Sequence, residues 1–385
     1  MKAVPVSEFA ARVDYGVTAS ASRDPIGPKM LRITDIHGTS VNWSTVPHCA
    51  SATKGVQDRQ LEVGDIVFAR TGSTGNSLLI RDCPEGAVFA SYLIRLRVQP
   101  EVADAGYVSH FFRSPGYWRQ IASASDGGVQ KGVNASKLKK LLVPLPRLGE
   151  QRRIASVLDA AEALRAKRRR AVAKLDELIE AIFHDMFGDP LTSDAVARAP
   201  IGSLASVVTG NTPSRSNPAY FGDHIEWLKT DNIRPSGEIE RAAEHLSESG
   251  RAKGREAPAG STLVVCIAGS PSSIGRVGLL DRRAAFNQQI NAVVPGPELR
   301  ALFLFHQLKT AQRLVQRAST DSMKGMVSKT ALAAVEVLVP PLNEQDTFVD
   351  VAEQVRTMRR CSSKSLDANG TLFASLQQRA FRGEL

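Results

Sequence analysis

Cysteine and aromatic residues are scarce in this 385-residue chain, and it has no long apolar run. The four cysteines are far apart and lack CxxC spacing, which argues against a cysteine-based metal site or a disulfide framework. No stretch approaches the ~18 consecutive apolar residues that a membrane span requires. The first residues, MKAVPVSEFAARVDYG, lack the apolar core of a secretory signal, so we expect a protein of the reducing cytoplasm.

Recognisable catalytic motifs are also absent. The sequence has no G-x-x-x-x-G-K-[ST] phosphate loop, and the glycine-rich segments 72–75 and 269–273 lack the lysine and the following helix that such a loop needs. The [NDS]-P-P-[YFW] motif of amino-methyltransferases is missing, because Asn217-Pro218-Ala219-Tyr220 has alanine in place of the second proline. The histidines form no HxH or HxxxH pair. We therefore expect a non-catalytic chain without a metal site.

Positive charge exceeds negative charge by ten, and the excess is unevenly distributed. Lysine and arginine outnumber aspartate and glutamate by five in residues 1–143 and by four in residues 190–338. The segments 144–189 and 339–385 are nearly neutral. Plain solvation can account for a basic surface, but this distribution suits two separate modules that each meet a polyanion such as DNA.

One long segment of the sequence occurs twice. A shift of 194 residues takes Pro146, Leu148, Glu150 and Gln151 to Pro340, Leu342, Glu344 and Gln345, which gives P-x-L-x-E-Q twice. Apolar residues then follow steps of four and three, interrupted at Arg165 and Arg168, which is the heptad pattern of a helix that packs along one seam. The pattern predicts a helix of about eleven turns from about Glu150 to Phe187, and a second helix from about Glu344 to Arg382.

A seam of this length must be covered, and its own second copy is the obvious partner. Two unrelated surface helices are the alternative. The residues predicted to form the helix pair and to support partner docking are Ile154, Leu158, Leu175, Ile179, Ile182, Phe348, Val355, Phe373 and Leu376. Antiparallel packing would bring the basic runs 165–170 and 359–364 to one level, with some of their charges directed toward solvent, a protein partner or phosphate.

The segments between the helices repeat as well. Short β-like runs at 29–36, 64–72 and 87–98 alternate with turns, and the runs 264–269 and 284–295 stand where the last two stood. Matching pairs of residues are Gly16 with Gly210, Thr34-Asp35 with Thr230-Asp231, and Gly64 with Gly260. The whole chain therefore reads as a tandem duplication.

These patterns predict an α+β protein with two pseudo-repeated mixed α/β domains separated by two long antiparallel coiled-coil helices. The predicted divisions are a first domain at 1–143, a first helix at 144–189, a second domain at 190–338 and a second helix at 339–385. The aromatic residues between Tyr107 and Ile121 have helical spacing, which favours a core helix over a base-stacking platform.

Polar loops in both domains have the side chains that read nucleic-acid grooves. Asn and Gln can bind adenine with two hydrogen bonds, Arg and Lys can bind guanine, and Ser or Thr can bind bases or phosphates. A polar loop residue is by default only solvated, so each candidate alone is weak. The candidate DNA-binding residues are Arg32, Thr34, Arg70, Thr71, Ser73, Thr74, Asn76, Gln130, Lys131, Asn134, Lys229, Thr230, Asn232, Ser270, Ser272, Ser273, Arg276, Asn287, Gln288, Gln289 and Lys324. The run 287–289 is the most suggestive, although in a strand one of its side chains would face inward.

Over nearly its whole length, the sequence resembles the specificity subunit of Type I restriction-modification enzymes. The helical segments that carry the resemblance are VPLPRLGEQRRIASVLDAAEALRAKRR, LDELIEAIFHDMFGDP, VLVPPLNEQ and QRAFRGEL. Within the domains the corresponding segments are LRITDI, GDIVFARTG, TPSRSNPAYFG and GRVGLL. One difference is that Arg-Arg follows Gln151 but not Gln345, which we expect to weaken or reshape the start of the second helix.

The resemblance implies a non-catalytic subunit whose two target recognition domains read an asymmetric two-part site in double-stranded DNA. It also implies partners: two methyltransferase subunits and, through them, restriction/translocase subunits, together active in phage defence. S-adenosylmethionine would belong to the methyltransferase and ATP with Mg to the restriction subunit, with no cofactor held by this chain. Because two readers at opposite ends of a helix pair cannot read adjacent bases, the site should be gapped, and because their loops differ, it should be non-palindromic. The alternatives are a protein-binding scaffold or antitoxin-like paralogue that has lost DNA reading, and a stand-alone DNA enzyme.

Overall fold

A computed structural model describes residues 1–50, 56–70, 75–123, 133–319 and 325–385 of the chain. It divides into two compact units, Met1–Arg168 with Ser365–Leu385 and Arg169–Lys364. Both divisions fall inside the long helices, so each helix contributes to both units. The domain boundaries predicted from the sequence are not tested by this division and stay predictions.

The first unit is built mainly from short strands joined by turns. Within its described residues the strands are β1 (Ala3–Pro5), β2 (Ala10–Tyr15), β3 (Ala21–Ser22), β4 (Met30–Leu31), β5 (Ile36–His37), β6 (Ser40–Val41), β7 (His48–Cys49), β8 (Ile66–Ala69), β9 (Ser77–Leu79), β10 (Val88–Phe89), β11 (Leu93–Val98) and β12 (Leu142–Pro144). An antiparallel sheet has the order β2-β11-β8-β9, and β4 pairs with β10 in parallel. The predicted strand at 29–36 is only two residues long, because a 3-10 turn over Ile33–Asp35 follows it directly.

Helices cover one side of this sheet. They are α1 (Ala105–Phe111), α2 (Pro115–Ser123), α3 (Ala135–Lys140) and the long α4 (Leu148–Phe187). The aromatic segment predicted as one helix is divided, because Pro115 lacks an N–H donor and is accommodated at the start of α2. Tyr107, Phe111, Phe112 and Tyr117 are buried, which confirms their assignment to the core, whereas the assignment of Trp118 is wrong because its side chain is 38% exposed.

The second unit repeats this order of elements. Its strands are β13 (Arg198–Pro200), β14 (Ala205–Thr209), β15 (Phe221–Gly222), β16 (Ile225–Leu228), β17 (His245–Leu246), β18 (Glu256–Ala257), β19 (Thr262–Val265), β20 (Val277–Leu279), β21 (Ala284–Phe286), β22 (Ile290–Pro295) and β23 (Glu336–Leu338). Its helices are α5 (Ile201–Leu204), α6 (Glu248–Arg251), α7 (Ala301–Thr310), α8 (Gln312–Arg317), α9 (Lys329–Ala333) and the long α10 (Leu342–Arg382). The antiparallel sheet β14-β22-β19-β20 and the parallel pair β16–β21 match the arrangement in the first unit.

The strand pairs fix the correspondence between the two units residue by residue. Leu31 pairs with Phe89 and Leu228 with Phe286, so the 3-10 turn after Leu31 corresponds to the turn Thr230–Asn232 after Lys229. The match of Thr34-Asp35 with Thr230-Asp231 drawn from the sequence is therefore wrong by one position. That match followed identical residues in a short polar turn, whereas the pairing of the buried strands fixes the true alignment.

Gly16 and Gly210 occupy equivalent positions where a side chain has no room. A Cβ atom on Gly16 would lie 2.0 Å from the Phe89 carbonyl oxygen, and one on Gly210 would lie 2.2 Å from that of Asn287. Both distances are far below van der Waals contact. Only glycine lets the chain pass this close to the turn that follows β10 or β21.

The repeated P-x-L-x-E-Q motif ties each domain to the start of a long helix. Gln151 is fully buried; its Oε1 accepts the Asp104 N–H at 2.9 Å, and its Nε2 donates to the carbonyls of Val102 and Pro146 at 3.0 and 2.9 Å. This one buried glutamine thus satisfies three backbone groups at the junction between domain and helix.

Gln345 makes the same three hydrogen bonds in the second unit. Its partners are Arg300 N–H at 2.8 Å and the carbonyls of Glu298 and Pro340 at 3.0 and 2.9 Å. Helix α10 starts at Leu342, the counterpart of Leu148 at the start of α4. The expectation that the missing Arg-Arg reshapes this helix start is therefore wrong, since the glutamine sets the start.

In each unit, the early part of one long helix packs against the late part of the other. In the first unit Arg165 lies over the ring of Phe373 at 4.9 Å, and Arg168 Nη1 donates to the Ser365 carbonyl at 3.1 Å. In the second unit the ring centroids of Phe183 and Phe348 are 5.3 Å apart. Because residues further along one helix contact residues further back along the other, the two helices run antiparallel, as predicted. The nine seam residues named above all belong to, or pack against, two large apolar cores, one in each unit. No helix in the described residues is both long and apolar enough to cross a bilayer.

Candidate nucleic-acid interface

In the second unit, the turn Asn287–Gln289 between β21 and β22 lies where four chain segments meet. The N–H of its first residue donates to the Leu228 carbonyl at 3.0 Å, and the carbonyl of its last residue accepts the Cys266 N–H at 2.8 Å. A glycine segment adjoins it, since Gly210 N–H donates to the Ile290 carbonyl at 3.0 Å. The end of β16, the β19–β20 loop and the glycine segment thus converge on this turn.

Amide side chains form the exposed part of this cluster. Gln288 is exposed, and its Oε1 accepts a hydrogen bond from the Thr212 hydroxyl, which leaves its Nε2 as a donor. Asn287 is nearly buried; its Nδ2 donates to Gln289 Oε1 at 2.9 Å and its Oδ1 accepts the Gln289 N–H at 3.2 Å. Asn287 therefore positions Gln289. The sequence interpretation of these three residues as strand is wrong, because an Ile290 N–H to Asn287 carbonyl bond closes a turn there.

A group of cations and aromatic rings lies beside the turn. Lys229 Nζ and Arg215 Nη2 both bind the carboxylate of Glu244, the latter at 2.7 Å. Both cations lie 5.2 Å from the ring centroid of Trp227, and the Arg215 guanidinium is 4.9 Å from that of Phe221. The hydrogen bond from Lys229, reinforced by Arg215, lowers the pKa of Glu244. Two cations share one carboxylate, so the group keeps a net positive charge for an anionic ligand. Sequence reasoning missed Arg215, although it lies in the quoted segment TPSRSNPAYFG.

The first unit builds the same cluster around the turn Ala90–Tyr92. The Ala90 N–H donates to the Leu31 carbonyl at 2.9 Å, and the Tyr92 carbonyl accepts the Arg70 N–H at 3.0 Å. The glycine segment contributes the Val17 carbonyl, which accepts the N–H in the middle of the turn at 2.8 Å. The backbone scaffold is thus repeated, while the side chains on it differ.

Tyr92 takes the place that Gln289 has in the second unit. It is 62% exposed, which is unusual for so large an aromatic side chain. Arg70 is exposed beside it, 5.2 Å from the ring centroid of Tyr15, and none of the described residues offers it a carboxylate partner. Asn76 is exposed at the other end of the β8–β9 loop. Sequence reasoning missed Tyr92. The signal was present, because an alignment of AVFASY with AAFNQQ places Tyr92 opposite Gln289.

The predicted residues of the two 3-10 turns are mostly committed to local bonds. Arg32 Nε and Nη2 bind Asp35 at 3.0 and 2.7 Å, and this pairing raises the pKa of Arg32. Asn232 Oδ1 accepts the Lys229 N–H at 2.8 Å, so that it closes the equivalent turn. Thr34, in contrast, is exposed at the tip of its turn. Arg32 and Asn232 shape the backbone here, Lys229 binds Glu244, and Thr34 is the most available to a ligand.

The remaining candidates are distributed over the loops that follow β8 and β19 and over helix starts. Asn134 accepts the Lys137 N–H at 2.8 Å and so caps α3, and Thr230 is half-buried in its turn. On the β19–β20 loop, Ser270 and Ser272 bind each other at 2.6 Å, and Arg276 binds Ser273 at 2.9 Å. Candidates outside the described residues are Thr71, Ser73, Thr74, Gln130, Lys131 and Lys324.

One group of side chains in the first unit has the composition of a metal or acid–base site. His110 Nε2 lies 2.8 Å from Asp159, and the nearby Glu162 completes a set of three possible ligands. However, Arg81 binds Asp159 at 2.6 Å and Arg113 binds Glu162 at 2.7 Å, so both carboxylates are already neutralised. Burial, reinforced by Arg113, lowers the pKa of His110. This group fastens the domain to α4 and does not have the character of a catalytic site.

The chain contains two copies of one domain, and each presents amide, basic and aromatic side chains on an equivalent backbone cluster, a combination that suits a nucleic-acid-recognition protein. The comparisons with known proteins agree with this class. The family model described as "Type I restriction modification DNA specificity domain" matches residues 41–173 and 196–359, one match in each repeat. The chain therefore belongs to the family of type I restriction-modification specificity subunits, which are the non-catalytic DNA-recognition subunits of these systems.

Individual relatives share modest sequence identity with the chain. The EcoKI specificity subunit of Escherichia coli K12 is 24% identical over 370 residues, covering 86% of this chain and 76% of that protein. The HindI specificity subunit of Haemophilus influenzae is 27% identical over 145 residues, covering 36% of this chain and only 31% of that protein. The crystal structure of the type I system S subunit from M. genitalium has a TM-score of 0.61 at 14% identity, covering 99% and 96% of the two chains. This last likeness concerns the fold.

Proposed function

We propose that the chain reads a two-part, asymmetric site in double-stranded DNA, with one half-site read by each unit. The observation that carries this proposal is the repeated loop cluster, which has one backbone design and two different sets of exposed side chains. An amide such as Gln288 offers hydrogen bonds to base edges, whereas an exposed Tyr92 offers apolar contact to a thymine methyl or to a sugar. Different side chains on equivalent scaffolds should select different bases, so the two half-sites should differ.

The basic groups at these clusters would supply contacts to phosphates. Arg70 in the first unit and the Lys229–Arg215 pair in the second lie next to the proposed reading turns. Such contacts hold the protein on the duplex without selecting a sequence. The loss of DNA affinity should therefore be steep as salt is raised.

We further propose that the long helices dock two methyltransferase subunits, which in turn recruit restriction subunits. Leu164 and Leu372 are 44% and 54% exposed in the first unit, and Leu178 and Met358 are 45% and 56% exposed in the second. The 194-residue shift relates Leu164 to Met358 and Leu178 to Leu372, so each unit offers the same pair of exposed apolar positions. Two equivalent surfaces fit two copies of one partner. S-adenosylmethionine and ATP with Mg would be bound by these partners.

Tyr92 provides the most direct test of reading by the first unit. Tyr92→Gln gives the turn the residue found at its counterpart in the second unit, and we expect one half of the methylated motif to change while the other stays the same. The measurement is sequencing of methylated bases in cells that carry the chain with its methyltransferase partner. Val63, 67% exposed in the same unit but on another loop, supplies the matched control Val63→Gln. An unchanged motif in Tyr92→Gln, or the same change in Val63→Gln, would contradict the assignment.

A further inference from the structure

A cleft of about 760 Å³ in the second unit lies outside the proposed reading cluster. Its apolar part includes Ile179 and Phe305, and the rest is lined by cationic side chains from α7 and α10 together with four carboxylates. Strand β19 separates the cleft from the reading turn. The turn adjoins the residue after the end of β19, whereas the cleft adjoins Leu279, which pairs with Thr262 at the start of β19. The cleft therefore needs a separate explanation.

The acidic residues of the cleft already have basic partners. Asp176 accepts from Arg359 Nε at 3.0 Å, and Glu238 binds the same guanidinium. Asp281 binds Arg282 at 2.6 Å, outside the lining. In contrast, Arg356, Arg360 and Lys364 line the cleft without a carboxylate partner in the described part of the chain. Three cations without a direct ion pair thus line one space, with Arg356 half-buried and the other two exposed.

Arg356 is the most unusual of these cations. It is half-buried and has no hydrogen-bond or ion-pair partner among the described residues. Burial, followed by repulsion from Arg360, lowers its pKa. His306, also in the lining, is 4% exposed, and its Nε2 has no partner either. Burial, with Lys309 and Arg356 adding, lowers the pKa of His306 to about 3, so the ring is neutral. A half-buried unpaired guanidinium is costly unless a ligand neutralises it.

The first unit shows how the same place is built without this excess of charge. The equivalent of Arg356 is Glu162, which binds Arg113 at 2.7 and 3.1 Å across a smaller cleft of about 380 Å³. The equivalent of Arg113 is Lys309. Lys309 binds Asp176 at 3.5 Å, so Arg356 has no carboxylate partner where the first unit has an ion pair.

We propose that this cleft in the second unit binds a phosphate-bearing ligand through Arg356, Arg360 and Lys364. Guanidinium groups match the geometry and charge of phosphate oxygens, and the volume lies within the range of about 300–1,000 Å³ that is usual for small-molecule sites. The phosphate could belong to a free nucleotide or to a DNA backbone outside the bases that are read. This inference does not depend on the proposed DNA-reading function.

The test uses the full chain and inorganic pyrophosphate as the probe, titrated by calorimetry at constant ionic strength. The variant Arg356→Glu copies the first unit, and its new carboxylate should pair with Lys309. We expect it to keep its fold and to bind pyrophosphate about tenfold more weakly or not at all, since charge-assisted hydrogen bonds are lost. Arg313→Glu makes the same charge change at an exposed residue of α8 outside the cleft and should bind like the wild type. If Arg356→Glu does not fold, Arg356→Gln repeats the test.

Competition identifies the source of the phosphate. Displacement of pyrophosphate by ADP points to a nucleotide, and displacement by a short duplex without the methylated motif points to a DNA backbone; either outcome supports the site. The proposal is overturned if the wild type does not bind pyrophosphate, or if Arg356→Glu and Arg313→Glu lose affinity equally. It is also overturned if polyglutamate displaces pyrophosphate better than both, which would assign the cleft to an acidic protein segment.

Discussion

At the scale of single residues, Gln151 and Gln345 show why a short motif can recur unchanged while its surroundings diverge. Each glutamine is itself fully buried and satisfies one backbone N–H and two backbone carbonyls with its own amide group. No other side chain of this length offers both a donor and an acceptor at its end. The motif therefore specifies how a domain is joined to its helix.

Replacement of these glutamines should be costly for the fold. We expect Gln345→Ala to lower the free energy of unfolding by about 2–4 kcal/mol, because three hydrogen bonds are lost and a buried cavity is left. Gln151→Ala should have an effect of similar size, since its bonds are the same. Asn343→Ala, an exposed change on the same helical turn, serves as the control in urea unfolding. Equal stabilities of Gln345→Ala and Asn343→Ala would contradict this role.

The proposed reading residues were only partly predictable from the sequence. The polar run 287–289 was noticed because of its composition, but its division into a buried positioning residue and two more accessible glutamines depends on a turn closed by tertiary contacts. Tyr92 was missed because an isolated tyrosine between apolar residues normally indicates core. Its exposure follows from its place in the turn after β10. Arg32 looked available in the sequence, yet Asp35 three residues later occupies its guanidinium.

At the scale of secondary structure, the long helices were the most predictable elements. The heptad spacing gave helices close to the observed Leu148–Phe187 and Leu342–Arg382. Short strands were less predictable, because a two-residue strand such as Met30–Leu31 is defined by its partner strand and has little periodicity of its own. The heptad pattern also did not distinguish the buried seam from the exposed leucines beside it. Their exposure depends on where the two domains pack against the helices.

The exposed apolar positions of the helices allow docking to be tested without damage to the core. In the first unit, Leu164→Glu with Leu372→Glu should remove one methyltransferase subunit per chain, because charge replaces an apolar contact surface on one unit only. Light scattering after size-exclusion chromatography should show the loss of mass. Seam residues such as Ile179, which is 3% exposed, are unsuitable for this test, because a charged substitution there would unfold the protein.

The control for docking is a charge placed on another exposed apolar residue of the same unit. Val63→Glu should leave the stoichiometry unchanged, because this residue lies on a loop outside the helices. Retention of two methyltransferase subunits by the double variant would show that these leucines are not the docking surface.

At the scale of the whole molecule, duplication explains both what the two units share and how they differ. The backbone clusters, the glycines beside the turns and the buried glutamines are shared because they specify the scaffold. The exposed side chains of the turns and the charges of the clefts differ, which is the basis for the proposal that each unit binds its own ligand. The repeat was visible in the sequence. The charge difference between Glu162 and Arg356 could be interpreted only from the structure, which shows that each side chain lines a cleft.

The central claim is that each unit reads its own half of a two-part DNA site. The measurement that tests it most directly is the methylated motif in cells after residues 200–338 are replaced by the matching region of a related specificity subunit. We predict a gapped, non-palindromic motif for the wild type, and a replacement that changes one half-site and leaves the other intact. A contiguous or palindromic wild-type motif, or a change in both halves after the exchange, would contradict the account.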